Sequence, residues 1–228
     1  MEGTEAMNAK FPRIPHLPFS PGATPDDERV PDLRDFLGHP VVLTEKIDGS
    51  NVCLTSETVY ARSHSGAATG RMFDELKAHH AAVRHLIPEG WSIFAEWCAA
   101  VHTVEYQDRE ECPFPRLFVI GARDDEGGVW GSWETLYQWA GRLGCHAAPK
   151  IHVDVFDVEA RLRKTVEIHA KAPSFWGPRR EGVVVRVLDA FKDDVFGMCV
   201  AKYVNAGFKA GEQLGAGNLV WQPGRIHG

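Results

Sequence analysis

Short apolar runs rich in β-branched residues, broken by polar turns, dominate the pattern along the chain, and three stretches repeat instead at helical spacing. Val41 to Ile47 and Val52 to Leu54 flank the turn Asp48-Gly49, and Thr58 to Ser63 predicts the third strand of a meander. Arg71 to Ile87 places Met72, Leu76, Val83, Leu86 and Ile87 on one helical face and stops at Pro88-Glu89-Gly90. Strands are expected at Trp91 to Cys98 and at Leu117 to Ala122. The acids of Asp124 to Gly128 lack the ligand spacing of a calcium loop, so a solvated turn is expected there. Ser132 caps a helix through Leu136, Trp139, Ala140 and Leu143, with Gly144 at its stop. A further helix covers about Asp157 to His169 with Arg161, Arg163 and Lys164 outward, and strands close the pattern at Gly182 to Leu188 and Met198 to Val204.

This mixture predicts an α+β fold with antiparallel sheets and a few helices in one compact domain over residues 41–228. Residues 1–40 precede it, and their proline-rich part from 11 to 40 is too broken for long elements; it reads as an ordered arm packed on the core. At 228 residues and 44% hydrophobic content the chain can fill such a core.

Charge and cysteine usage narrow the classes. The formal net charge of −6 gives no global attraction to polynucleotides, so any such binding must come from a local basic patch. No 18-residue apolar run is present and the start lacks the pattern of a signal peptide. A cytoplasmic protein without a membrane partner is expected. Five scattered cysteines, none in C-x-x-C spacing, argue against a disulfide framework or a zinc ribbon and read as reduced thiols, mostly in the core. The histidines form no metal pattern, and His79 and His80 are expected on a solvated helix surface.

The segment "TEKIDGSN", residues 44–51, raises the chemical question. A lysine is a nucleophile only when neutral, and its reference pKa of about 10.4 keeps it charged at neutral pH. Glu45 and Asp48 on either side of Lys46 would raise that value further, so a metal ion or other cations must oppose them. Arg62, Arg186 and Lys202 lie on predicted strands whose alternate side chains can share a groove with Lys46. Taken alone, the pattern leaves open both a nucleophile and a lysine paired with Glu45 or Asp48 on a hairpin surface.

Further segments bear on that choice. "EKIDGSN" resembles the first motif of the covalent nucleotidyltransferases, which comprise ATP-dependent DNA ligases, RNA ligases and capping guanylyltransferases. "ARSHSG" with Arg62, "IFAEWC" with Glu96, "LFVIGARD", "EGVVVRV" with Glu181 and Arg186, and "VAKYV" with Lys202 resemble the later motifs in the same order. Ser50-Asn51 is similar to RNA ligases, where the other branches place arginine. The arm and "FAEWCAAVHTVEY" also look like a group of small RNA-ligase-like proteins.

The resemblance implies a ligase adenylation fold, two antiparallel sheets flanked by helices around a nucleotide groove. It implies ATP as substrate, with AMP held covalently on Lys46, and Mg²⁺ or Mn²⁺ held by Asp48 and Glu181 directly or through water. Lys202 completes the implied catalytic set. Glu45, Ile47, Asn51, Arg62, Glu96, Phe118, Ile120 and Arg186 are the implied nucleotide contacts: Glu45 for the adenine amino group, Glu96 for the ribose hydroxyls, the arginines for phosphate. The implied reaction seals 5′-phosphate to 3′-hydroxyl RNA ends, with RNA as partner and an end-processing kinase or phosphatase, or a second copy of the chain, as further partners. Fewer than 25 residues after Val204 leave no room for an oligonucleotide-binding-fold domain, so a minimal domain is expected.

Three positions depart from the family pattern. Ile120-Gly121 stands where Phe-Asp is common, with Phe118 nearby as another candidate to cover the base. Val204 replaces the second lysine of K-x-K, and Ala95 replaces the glycine before Glu96. Val204 and Ile120 favour a nucleotide- or RNA-binding module without turnover as one alternative. A capping or DNA-joining enzyme is the other.

Overall fold

The computed structural model describes residues 10–63, 66–208 and 220–226. Positions 64 and 65 of "ARSHSG", the first nine residues and most of the stretch after residue 208 lie outside the described residues.

After the arm, β1 (Pro40–Lys46) and β2 (Ser50–Leu54) flank the Asp48-Gly49 turn, and β3 (Val59–Ala61) follows. A 3₁₀ turn, α1 (Asp74–Val83) and a second 3₁₀ turn make up the first helical region. Then come β4 (Trp91–Trp97), β5 (Leu117–Asp124), β6 (Val129–Trp130), α2 (Trp133–Arg142), β7 (His146–Ala147) and β8 (Lys150–Val155). The chain continues through α3 (Glu159–Lys171), β9 (Gly182–Val187), β10 (Phe191–Lys192), a helical turn at Phe196–Cys199 and β11 (Val200–Val204).

Among the described residues these strands form two sheets, one ordered β11-β9-β1-β8 and the other β10-β6-β5-β4-β2-β3 with β7 attached to β5. Neighbours are antiparallel except for the parallel β5–β7 pair. Period-2 alternation assigns the two faces of the first sheet. Val41, Leu43, Val183, Val185, Ala201 and Tyr203 share a buried cluster with Leu162, Val166 and Ala170 of α3, spaced four residues apart. On the opposite face Thr44, Lys46, Val184, Arg186, Val200 and Lys202 line a cleft.

The arm is part of this architecture. His16 bridges β11 at Lys202, with Leu17 N–H donating to the Lys202 carbonyl at 2.8 Å and Lys202 N–H to that of Pro15 at 2.9 Å. The edge of β11 is thereby covered.

Several local expectations are corrected. His79 and His80 are buried, and the His80 Nε2 lies 2.7 Å from the Thr55 carbonyl, because α1 turns them inward against the end of β2. Burial pulls the His80 pKa down. The turn after β5 is less solvated than expected: Arg123 binds Asp125 at 2.5 Å and Ser92 Oγ donates to Asp125 at 2.7 Å. The start of the expected strand at Met198 is helical, and strand geometry begins at Val200. Strand β8 went unassigned despite its alternating "KIHVDV", because a sheet edge leaves Val153 and Val155 half exposed. All five cysteines are free, but only Cys53 and Cys98 are fully buried.

Gly182 shows how tightly β9 and β11 are held. A Cβ there would fall within the radius of the Tyr203 carbonyl oxygen, a backbone atom that cannot move without opening the pair. G182A is expected to lower unfolding free energy by about 3 kcal/mol or more, measured by denaturant titration.

Candidate active site

The cleft between the sheets has about 150 Å³ of internal space. Lys46 ends β1 in register with Gly182 of β9, which brings Glu181, one residue before β9, to its side chain. Lys46 Nζ lies 2.6 Å from Glu181 Oε2, with the lysine one-quarter exposed and the acid mostly buried. Burial pulls the Lys46 pKa down, but Glu181, Glu96 and Asp48 outweigh it and raise the value, so the amine is an ammonium in the free protein. Lys202, two strands away, is shifted the other way by burial and by repulsion from Lys46.

Asp48 sits in the β1–β2 turn. Its Oδ2 accepts from Thr103 N–H at 2.7 Å, Thr103 Oγ1 at 2.7 Å and Val104 N–H at 2.8 Å, while its own N–H donates to the Tyr106 hydroxyl at 2.8 Å. Sequence reasoning missed Thr103 and Tyr106, although "AAVHTVEY" was singled out as a stretch. On the second sheet Asn51 and Glu96 are cross-strand neighbours, joined by Asn51 Nδ2 to Glu96 Oε1 at 3.3 Å.

Glu45 points from the opposite strand parity and is buried. Its Oε2 accepts from Phe175 N–H at 3.3 Å and pairs with Arg180 at 3.3 Å, whereas Oε1 has no hydrogen-bond partner. Arg180 is 5% exposed and also donates to the carbonyls of His169 and Pro173. Its only sequence signal was the "PRR" run, which gives no hint of burial.

The remaining positions divide. Ile47, Arg62 and Ile120 border the cleft together with Lys46, Asn51, Glu96 and Lys202. Phe118 does not: it is fully buried, with its ring 5.7 Å from Phe114 and 5.4 Å from Trp176. Arg186 lies along the cleft, but its Nη2 donates to the Gly131 carbonyl and its guanidinium sits 4.8 Å above the Phe191 ring, leaving Nε without a partner. Burial lowers its pKa to about 10.

The register of β4 on β5 shifts between Phe94 and Ala95, where Phe94 opposes Gly121 and Ala95 opposes Val119. Ile120 is thus the extra residue of a bulge. Ala95 itself is buried in the core between this sheet and α2, so its methyl occupies no cleft space.

Among the described residues no group of three or more histidine, cysteine, aspartate or glutamate side chains could cage a metal, and no helix is long and apolar enough to cross a membrane. Glu181 and the free oxygen of Asp48 are hard donors beside Lys46. That set fits a magnesium-type ion that takes its other ligands from water and a triphosphate.

Two sheets around a cleft with a lysine-acid pair at its floor define a nucleotidyltransferase fold of the RNA ligase class. The sequence profile of the RNA ligase family matches residues 39–204, and the chain belongs to that family. The fold is similar to an unliganded variant of Naegleria gruberi RNA ligase at a TM-score of 0.58 and 12% identity, covering 86% of this chain and 55% of that one. It is also similar to an archaeal ATP-dependent RNA ligase, at 0.56 and 16% identity, covering 86% and 48%. Another variant of the Naegleria enzyme, solved with ATP and Mn, gives 0.57 and 13%, covering 87% and 56%. The chain therefore spans about half the length of these solved relatives. No curated protein matches the sequence.

Burial pushes the Glu96 pKa up to about 8, from a reference of 4.5. Between these values the folded protein keeps a proton that the unfolded chain has lost, so this group makes stability fall as pH rises toward 8. E96Q, neutral throughout, is expected to reduce that fall by a few kcal/mol in denaturant titrations at pH 5 and pH 8.

Proposed function

We propose that the protein is an ATP-dependent RNA ligase that forms a lysyl-AMP intermediate on Lys46. The carrying observation is the Lys46–Glu181 pair at the floor of a cleft that also gathers Asn51, Arg62, Glu96 and Lys202. The ammonium must lose a proton before attack, and Glu181, 2.6 Å away and with its pKa raised by burial, is placed to take it. The amine lone pair then forms the N–P bond to the α-phosphorus as the bond to pyrophosphate breaks.

In the next step the AMP passes to the 5′-phosphate of an RNA end, regenerating the lysine. A 3′-hydroxyl attacks that activated phosphate, and AMP leaves as the strand is sealed. Lys202 and Arg62 are placed to neutralise phosphate charge. Asp48 and Glu181 would hold a magnesium or manganese ion, which when bound supplies positive charge to the triphosphate and lowers the pull of these acids on Lys46. Asn51 orients Glu96 toward a ribose hydroxyl, and the protonated form favoured by burial can donate as well as accept. Glu45, implied to read the adenine amino group, would do so only once its buried carboxylate left Arg180.

Mass spectrometry of the purified protein with ATP and Mg²⁺ is expected to reveal one added AMP, absent from K46A. Sealing of a nicked or split RNA bearing 5′-phosphate and 3′-hydroxyl ends should fall at least a thousandfold in the same variant, about the scale of losing a nucleophile. If the wild type gains no AMP across pH and metals yet binds ATP, the protein is a nucleotide-binding module instead.

A further inference from the structure

We propose that Phe11 of the N-terminal arm is the aromatic wall of the base pocket, taking the place that β5 leaves without a π face. The inference rests on the cleft being a nucleotide site. Neither candidate on β5 provides such a face: Ile120 is aliphatic, and Phe118 is shut away against Phe114 and Trp176. Phe11, half-buried, borders the same cleft as Ile120 and Glu96.

Its ring is held in one orientation. Its plane is nearly perpendicular to those of Trp130 at 5.5 Å and Phe196 at 5.8 Å, and is tilted against Phe94 at 5.2 Å. Gly121 makes the room: a Cβ there would lie 3.0 Å from Phe11 Cε2 and 3.1 Å from Trp130. The arm is fixed a few residues on by the pairing of Pro15 and Leu17 with Lys202, so Phe11 is anchored to the strand that carries the implied phosphate lysine. An aromatic ring beside a carboxylate suited to a ribose is complementary to a nucleoside monophosphate. Because every base has a π face, Phe11 would contribute affinity without choosing the base.

The probe is AMP, which binds without reacting, titrated calorimetrically into the full chain and into F11A, F11L and F11W. F11A is expected to weaken AMP binding about tenfold, F11L to remain weak while unfolding at the wild-type temperature, and F11W to restore affinity. Wild-type affinity in F11L or in F11A would reduce Phe11 to a packing residue and overturn the inference. If F11A fails to fold, the contrast of F11L with F11W decides. A wild type that binds AMP but never acquires lysyl-AMP would defeat the ligase reading while leaving the Phe11 series to be judged on binding. No AMP binding at all would overturn both.

Discussion

The ammonium of Lys46 held against Glu181 is the contact on which the rest of the cleft depends. The β1–β9 register brings Lys46 opposite Gly182, and Glu181, just before the strand begins, meets the ammonium at 2.6 Å. Burial pulls the Lys46 pKa down and the surrounding carboxylates reverse that, so the amine is held as an ammonium. In the proposed reaction a polyphosphate with its cation would change that balance on entry, which would tie the reactivity of the amine to occupancy of the cleft.

Two of the three departures from the family pattern acquire one physical explanation. Gly121 stands where a Cβ would press on Phe11, and Val204 stands where the arm pairs with the end of β11. Ser20 Oγ accepts from Val204 N–H at 2.9 Å and Gly22 N–H donates to its carbonyl at 2.9 Å. Val204 also packs in the apolar cluster of Ile47, Phe118 and Trp176, where a lysine ammonium would lose its water without a partner. Position 95 is different in kind, since its methyl points into the core. The changes at 121 and 204 therefore follow from the arm being built into the domain, and need no loss of chemistry to explain them.

What the sequence made legible was local. The Asp48-Gly49 turn, the Ser132 cap, whose Oγ accepts from Thr135 N–H, and the Leu162-Val166-Ala170 stripe each follow from neighbours a few residues apart. Ordered motifs then carried Lys46, Glu96, Glu181 and Lys202 into one cleft. The failures are long-range. Strand parity predicts one face for Phe118 and Ile120, but Ile120 is the extra residue of a bulge opposite Phe94 and Ala95, and nothing in "LFVIGARD" announces it. Arg186 is implied as a phosphate contact, yet it and Arg180 are held by carbonyls and an acid from 7 to 135 residues away, beyond any local pattern.

These partnerships set the charge of the cleft. Glu45 and Glu96 border it and Glu181 and Asp48 act on Lys46 beside it, each compensated by a different means: Glu181 by Lys46, Glu45 by Arg180, Asp48 by three donors from the 103–104 loop, and Glu96 by keeping its proton. Arg186 spends its charge on a carbonyl and a ring. Among the described residues Lys202, Arg62 and Arg13 are further cations on the cleft wall. For the proposed reaction a chain of net charge −6 would in this way offer local positive charge to a phosphate, since attraction at contact range is set by uncompensated neighbours and not by the total.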